Sequence, residues 1–564
     1  MAISLVGAPR GLRVLLPVSF LIVLVLVLVG VYHNTGRLET SELLKTITNL
    51  HGGSAGGSAG GSQQQQDEPA VEEIPTRPFN THPPPKYKPT PTLAVPVITD
   101  PFPLLATSTA TPPPIPVYNV PKPGLHREYG LSYMPPLFIG FTRQWPMLLQ
   151  CVVAYLTAGW PPESIYVVEN TGVQYGNKEG KLSLQNPFYL NHTTLNRLGV
   201  NVLQTPVLLT FSQLQNFFVY TATERQWPYY FYSHQDVVVM SFEDGPDMIK
   251  RNGDRDWFFY NEQEKADILR PAAAGQKGYR TIYENCLREL NQTLEHEKRW
   301  GFRWFQYDHL TLVNRAALDA VGGWDSLMPY YASDCDMNAR LEMDGWSMRH
   351  RRVGIINDVS TVMEDLAALY RDPTVVPKFV DPNPISDDKL VEIERPHKDD
   401  EPNEDEPAKE DAAEGDAAKG DAAEGDATTG EEEKPADQSS EQPPEQPAEQ
   451  PTGKPTEKRE AESPTGIAQS MDYFRALLKV ADDMGLYKYR SDNDARNSWQ
   501  GSQHGGAGEP YYYNPDGFGK AFWILVDAGR EVFRQKWGHR DCDLVGETAL
   551  KLDDQWRVEK DWED

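Results

Sequence analysis

Residues 136–170 set the tightest limit on the fold. PLFIGF (Pro136 to Phe141) is an apolar run of strand length. PMLLQCVVAYLTAG (Pro146 to Gly159) follows, with proline at its start and glycine at its end, the punctuation of a helix. SIYVVEN (Ser164 to Asn170) reads as a second buried strand. Strand, helix and strand in about 35 residues make a βαβ unit, which requires a parallel sheet and a right-handed crossover. A further unit follows: Val200 to Leu203 as strand, Gln213 to Glu224 as helix, and YYFYS (Tyr229 to Ser233) as strand. The expected fold is therefore α/β, a doubly wound and mostly parallel sheet of Rossmann type. Such sheets bind ligands at the carboxyl ends of their strands.

Only part of the 564-residue chain has this composition. Val14 to Tyr32 is a 19-residue run without charge, preceded by Arg10 and Arg13. At about 1.5 Å per residue it reaches across a bilayer core of roughly 30 Å. The flanking arginines hold residues 1–13 in the cytosol, and the absence of a small-residue cleavage site favours an uncleaved signal-anchor over a signal peptide. The sequons at Asn191 and Asn291 agree with a lumenal head and are the expected glycosylation sites. Residues 33–130 read as a disordered stem: a Gly/Ser linker and a Gln tract, then a Pro-rich stretch of polyproline character.

Residues 131–390 form the expected catalytic domain. Residues 391–465 read as an acidic disordered insertion, because they hold too little apolar surface to offset the entropy of ordering. The net charge of −28 is concentrated there: residues 391–463 hold 25 acidic and 8 basic side chains. An acidic chain excludes nucleic acid as the main partner. Residues 466–564 should return to the head as helices. Met471, Phe474, Leu477, Leu478 and Met484 share one helical face; Phe518, Phe522, Val526, Val532, Phe533 and Trp537 share another. The four cysteines (Cys151, Cys286, Cys335 and Cys542) form no CxxC pair, which excludes a zinc ribbon and leaves room for one or two disulfides of unassigned pairing.

Two segments carry the chemistry. In YYFYSHQDVVV a buried strand runs into Ser233-His234-Gln235-Asp236. A carboxylate at the carboxyl end of such a strand can hold Mn²⁺ or Mg²⁺ against a diphosphate, or simply cap the next turn. The second segment runs from Trp304 to Trp346. Gly322-Gly323 makes a turn before Trp324-Asp325, and Ser333-Asp334-Cys335-Asp336 opens a helix whose free amides favour acidic side chains.

In the order and spacing of these motifs, residues 137–353 resemble the GT-A-type glycosyltransferases, nearest to the family 2-like members. The resemblance implies a strand-helix-strand nucleotide unit over Phe138 to Asn170. It implies an Asp-x-Asp metal motif at His234-Gln235-Asp236, with histidine in the first place. It further implies a Gly-Gly-aromatic-Asp turn at Gly322 to Asp325. The acidic helix start falls at Ser333 to Asp336, with serine where glutamate is usual. By the same resemblance Asp334 is the base for an inverting displacement. Asp236, Thr142, Arg143, Glu169 and Asn170 bind the nucleotide sugar. Asp236 and His234 bind Mn²⁺ or Mg²⁺, with His350 as a further ligand or a surface histidine in a basic run. Trp324, Asp325 and Asp336 face the acceptor.

Two readings follow. The first is a type II Golgi glycosyltransferase, anchored by one N-terminal membrane helix. It moves a hexose from a nucleotide-sugar donor to a glycan or glycoprotein acceptor with metal dependence; no oligomeric state is assigned. The second is a non-catalytic, membrane-tethered partner subunit that binds a sugar or nucleotide sugar, suggested by the two altered motifs.

Overall fold

The computed structural model describes residues 83–87, 97–105, 110–245, 271–380, 464–489, 506, 509 and 515–563. The expected membrane helix at 14–32 and nearly all of the acidic insertion lie outside the described residues. Among those described, no helix is long and apolar enough to cross a membrane. Backbone packing divides the chain into Met1–Pro91 and Thr92–Asp564. In the first unit, residues 83–87 are exposed and form neither helix nor strand. The second unit holds every element discussed below.

Its centre is a seven-stranded sheet. The strands are β1 (Leu137–Phe141), β2 (Ile165–Glu169), β3 (Asn201–Gln204), β4 (Tyr229–Ser233), β6 (Trp300–Trp304), β7 (Leu310–Asn314) and β8 (Ser347–His350), in the order β3-β2-β1-β4-β7-β6-β8. Strands β3, β2, β1 and β4 run parallel. Strand β7 runs against both neighbours, and β8 is again parallel to β6. One strand of seven is thus reversed. A separate antiparallel pair, β5 (Val237–Met240) with β9 (Ile355–Asp358), sits beside the sheet.

Both faces of the sheet are covered. On one side Leu137, Ile139, Phe141 and Phe231 pack against α1 (Trp145–Thr157) and α3 (Ile282–His296). On the other Phe138, Tyr230 and Tyr232 pack against α2 (Phe211–Glu224), α4 (Arg315–Val321) and α5 (Ser333–Met343). Alternate residues of β1 therefore feed opposite cores, which is why its sequence is apolar throughout. Helix α1 lies between the large sheet and β5, so all thirteen of its residues are buried and it shows no polar stripe. Its end is fixed by Gly159 at φ +95°, where a Cβ would come within 2.6 Å of the Thr281 side chain.

The C-terminal segment packs on this head. Helix α6 (Pro464–Tyr489) buries Met471, Phe474, Leu477, Leu478, Ala481 and Met484 in the core that contains α1. Helix α7 (Pro515–Trp537) buries Phe533 and Trp537 with Met328 and Ala339, and a disulfide joins Cys335 to Cys542. The expectation of a disordered stem up to residue 130 is corrected. Phe102, Leu105 and Leu125 are buried in the same core as α1, and Arg197 donates to the carbonyls of Leu105 (2.5 Å) and Ala110 (3.2 Å). Proline-rich backbone lacks donors but keeps its acceptors, so an arginine can fasten it to the head.

Candidate functional site

The carboxyl ends of β1 and β4 open on one region, and the turn from β4 to β5 crosses it. The β5–β9 ladder pairs Val237 with Asp358, and the Val359 amide donates to the Asp236 carbonyl at 2.8 Å. That register sets the carboxylates of Asp236 and Asp358 side by side. Both are buried, and a single ammonium lies between them. Lys488 Nζ is 2.8 Å from Asp236 Oδ2 and 2.6 Å from Asp358 Oδ1. The Tyr489 hydroxyl donates to the other oxygen of Asp358 at 2.6 Å. Burial alone would lower the Lys488 ammonium, but Asp236 and Asp358 outweigh it and raise it above its ordinary value.

Above this base lies a more open rim built from the turn between β6 and β7. His234 Nε2 stands 3.3 Å from Asp308, His309 Nε2 stands 3.4 Å from Asp358, and the Tyr307 hydroxyl donates to Asp334 at 3.2 Å. Three successive residues of one turn thus reach three separate acidic or basic partners. The backbone is strained here. Gln306, Tyr307 and Ala332 take φ of 70°, 49° and 69°, in the left-handed region that costs a non-glycine residue roughly 1–2 kcal/mol. Asp334 stands in the first turn of α5, immediately after Ala332 and Ser333. Its carboxyl is raised above the usual range, first by burial and then by the charge of Asp308. Burial works against protonation of His234, but Asp308, aided by Asp236 and Asp358, raises the imidazole to about 9. His309 is raised as well, burial being outweighed by Asp358.

The structure brings together His234, Asp236 and Asp334, with Arg143 close by. Gln235 Nε2 donates to the Arg143 carbonyl at 2.7 Å, and the Arg143 guanidinium lies 5.2 Å from the Phe518 ring of α7. Thr142 is within 3.5 Å of the Asn170 amide.

The remaining expectations are redistributed. Glu169 is fully buried, and its oxygens are taken by Asn177 (2.8 Å), Gln204 (2.7 Å) and His192 (2.9 Å). Asn170 is spent on the backbone of Leu209 and the Thr205 hydroxyl. Both are thereby tied into the loops after β2 and β3. Asp325 and Asp336 are tied to the C-terminal segment. Lys536 bridges them at 2.7 Å to each, while Arg340 and the Trp537 indole hold the rest of Asp336. They are the anchor points of α7. Trp324 is buried against Phe211 rather than displayed to a sugar. His350 lies on the edge strand β8 against Trp304, with two strands between it and β4, and burial beside Arg351 lowers it to about 4. Asn191 accepts from the Thr194 amide and caps a short helix, and Asn291 lies within α3; both are half-buried.

The expected Mn²⁺ or Mg²⁺ at Asp236 does not fit these surroundings. The position beside the carboxylate is filled by the Lys488 ammonium, whose displacement would leave a second buried cation to house. The ligand atoms of His234, Asp308 and His309 do lie within 4.8 Å of one another. Their acidic neighbours raise both imidazoles, so a proton competes with a metal for their lone pairs.

Five residues of the cluster were not singled out from sequence: Tyr307, Asp308, His309, Asp358 and Lys488. Asp358 comes two residues after the apolar pair Ile355-Ile356, a setting close to that of Asp236 shortly after YYFYS. Lys488 stands four residues after Met484, on the buried stripe of α6 where a lysine is out of place. No family model matches the chain, and no curated protein matches it.

Proposed function

We propose that the chain is a glycosyltransferase of the GT-A type, anchored as a type II protein of the Golgi, that transfers a hexose from a nucleotide sugar to a glycan or glycoprotein. The observation that carries this reading is the placing of Asp334: at a helix start, half-exposed beside the carboxyl end of β4, with its carboxyl raised toward the working pH of a base. The order of the sheet, with one reversed strand next to β4, agrees with the same reading. In the reaction Asp334 takes the proton of the acceptor hydroxyl. The acceptor oxygen bonds to the anomeric carbon as the bond from that carbon to the diphosphate oxygen breaks, and the configuration inverts. Tyr307 orients the Asp334 carboxylate through its hydroxyl.

The test is turnover of a panel of nucleotide sugars by the full-length chain. Asp334→Asn is expected to lower transfer by about 10²–10⁴ while leaving nucleotide affinity within about twofold. Equal turnover by parent and variant would overturn the assignment of the base. A non-catalytic binding role draws support from the closure of Asp236 by Lys488; it requires donor binding by the parent without any transfer or hydrolysis.

A further inference from the structure

The glycosyltransferase reading calls for positive charge beside Asp236, to keep the carboxylate from repelling a diphosphate. The structure supplies it from the chain itself. Lys488 is 3% exposed, and its three N–H donors meet Asp236 at 2.8 Å, Asp358 at 2.6 Å and the Val359 carbonyl at 3.4 Å. That set saturates an ammonium. A buried lysine with two carboxylate partners is an ion site already filled, at the position where a strand-end carboxylate would otherwise recruit a divalent cation.

We infer that Lys488 takes the place of the divalent cation, so that this site accepts a nucleoside diphosphate without metal. The inference rests on the glycosyltransferase reading. Lys488 is a positioning residue: its one positive charge is shared between Asp236 and Asp358, His309 faces the other oxygen of Asp358, and the ammonium does not touch the donor. Two further observations support it. The carboxylate–ammonium–carboxylate bridge is held in register by the β5–β9 ladder, so it is part of the fold rather than a surface contact. Asp358 is also met by Tyr489 and His309, which leaves its oxygens committed. The lysine is carried by α6, whose buried face from Met471 to Met484 fixes the helix on the head.

The experiment measures three things on the full-length chain: binding of Mn²⁺ alone by electron paramagnetic resonance, and binding of uridine diphosphate and of guanosine diphosphate by calorimetry, each with EDTA and with Mn²⁺. The parent should bind no Mn²⁺ at the site, and EDTA should change nucleotide affinity by less than about twofold. Lys488→Ala should acquire a Mn²⁺ site from the freed carboxylates, and its nucleotide binding should become dependent on Mn²⁺. A merely structural lysine would not produce that gain. Lys488→Arg keeps the charge and should remain independent of metal.

Should Lys488→Ala fail to fold, the parent decides alone. Stoichiometric Mn²⁺ binding by the parent, or nucleotide binding lost in EDTA, overturns the inference and leaves the glycosyltransferase reading standing. Absence of nucleotide binding in both conditions overturns the glycosyltransferase reading and this inference with it.

Discussion

Asp334 and Asp308 carry the same side chain, and their surroundings push them in opposite directions. Burial raises Asp334, and the negative charge of Asp308 raises it further. Burial would raise Asp308 too, but His234 outweighs it and brings the carboxyl below its ordinary value. Two carboxylates separated in this way can take different roles at one pH. Transfer should fall on the acid side as Asp334 gains its proton, at a pH above the ordinary carboxylate range. Asp308→Asn removes one of the two causes, so the acid limb of kcat/KM should move to lower pH; a limb that stays put would mean Asp334 does not feel Asp308. His234 governs the alkaline side. Its value is raised from 6.5 to about 9, so its contribution to stability is complete below 6.5 and is lost as pH rises through about 9. Denaturation midpoints between those limits should decline in the parent and decline less in His234→Gln. His234, Asp236 and Asp334 were legible in the sequence because each ends a strand or starts a helix. Asp308 and His309 were not, because their meaning comes from partners distant in the chain: the Ser233 hydroxyl donates to the His309 carbonyl across a separation of 76 residues.

At the scale of elements, local pattern was enough to find the strand-helix-strand units and the buried faces of α6 and α7. It did not show what those helices hold. Lys536 at the end of α7 clamps Asp325 and Asp336, and Lys488 at the end of α6 clamps Asp236 and Asp358. In each case a lysine at the C-terminal end of an apolar stripe closes on two carboxylates of the head. Spacing reveals the stripe, but only the folded sheet reveals which acids it reaches. Phe474 is fully buried in α6, with the Arg371 guanidinium 5.2 Å from its ring. Phe474→Ala should destabilise the protein by about 3–5 kcal/mol, the usual cost of removing a buried aromatic ring. Chemical denaturation measures this, and a loss under about 1 kcal/mol would show that α6 is not docked.

At the scale of the molecule, the described residues of the head stop at 380 and resume at 464. The sequence between holds too little apolar surface to form a core, and a connection of that composition can vary in length at little cost, since each doubling adds only about 0.6 kcal/mol of closure entropy. Deleting residues 398–465 behind a short Gly/Ser link should therefore leave folding and nucleotide binding close to those of the parent; loss of the folded head would assign the segment a structural role. The Cys335–Cys542 disulfide spans 207 residues and encloses this segment. A protease cut between residues 380 and 464 should give two bands on a reducing gel and one on a non-reducing gel, and separation without reductant would rule out the bridge. The bridge between Asp236 and Lys488 joins residues 252 positions apart, and this has a genetic consequence. All nine strands among the described residues, and Asp334, are encoded before the acidic segment, whereas the ammonium that meets Asp236 is encoded after it. In-frame gain or loss of the EDAAE-GDAAK-GDAAE units should be silent, because units so poor in apolar side chains add nothing to a core. A frameshift within them should be a null allele, even though every described strand upstream is translated intact, because the head then lacks α6, α7 and the Lys488 ammonium between Asp236 and Asp358.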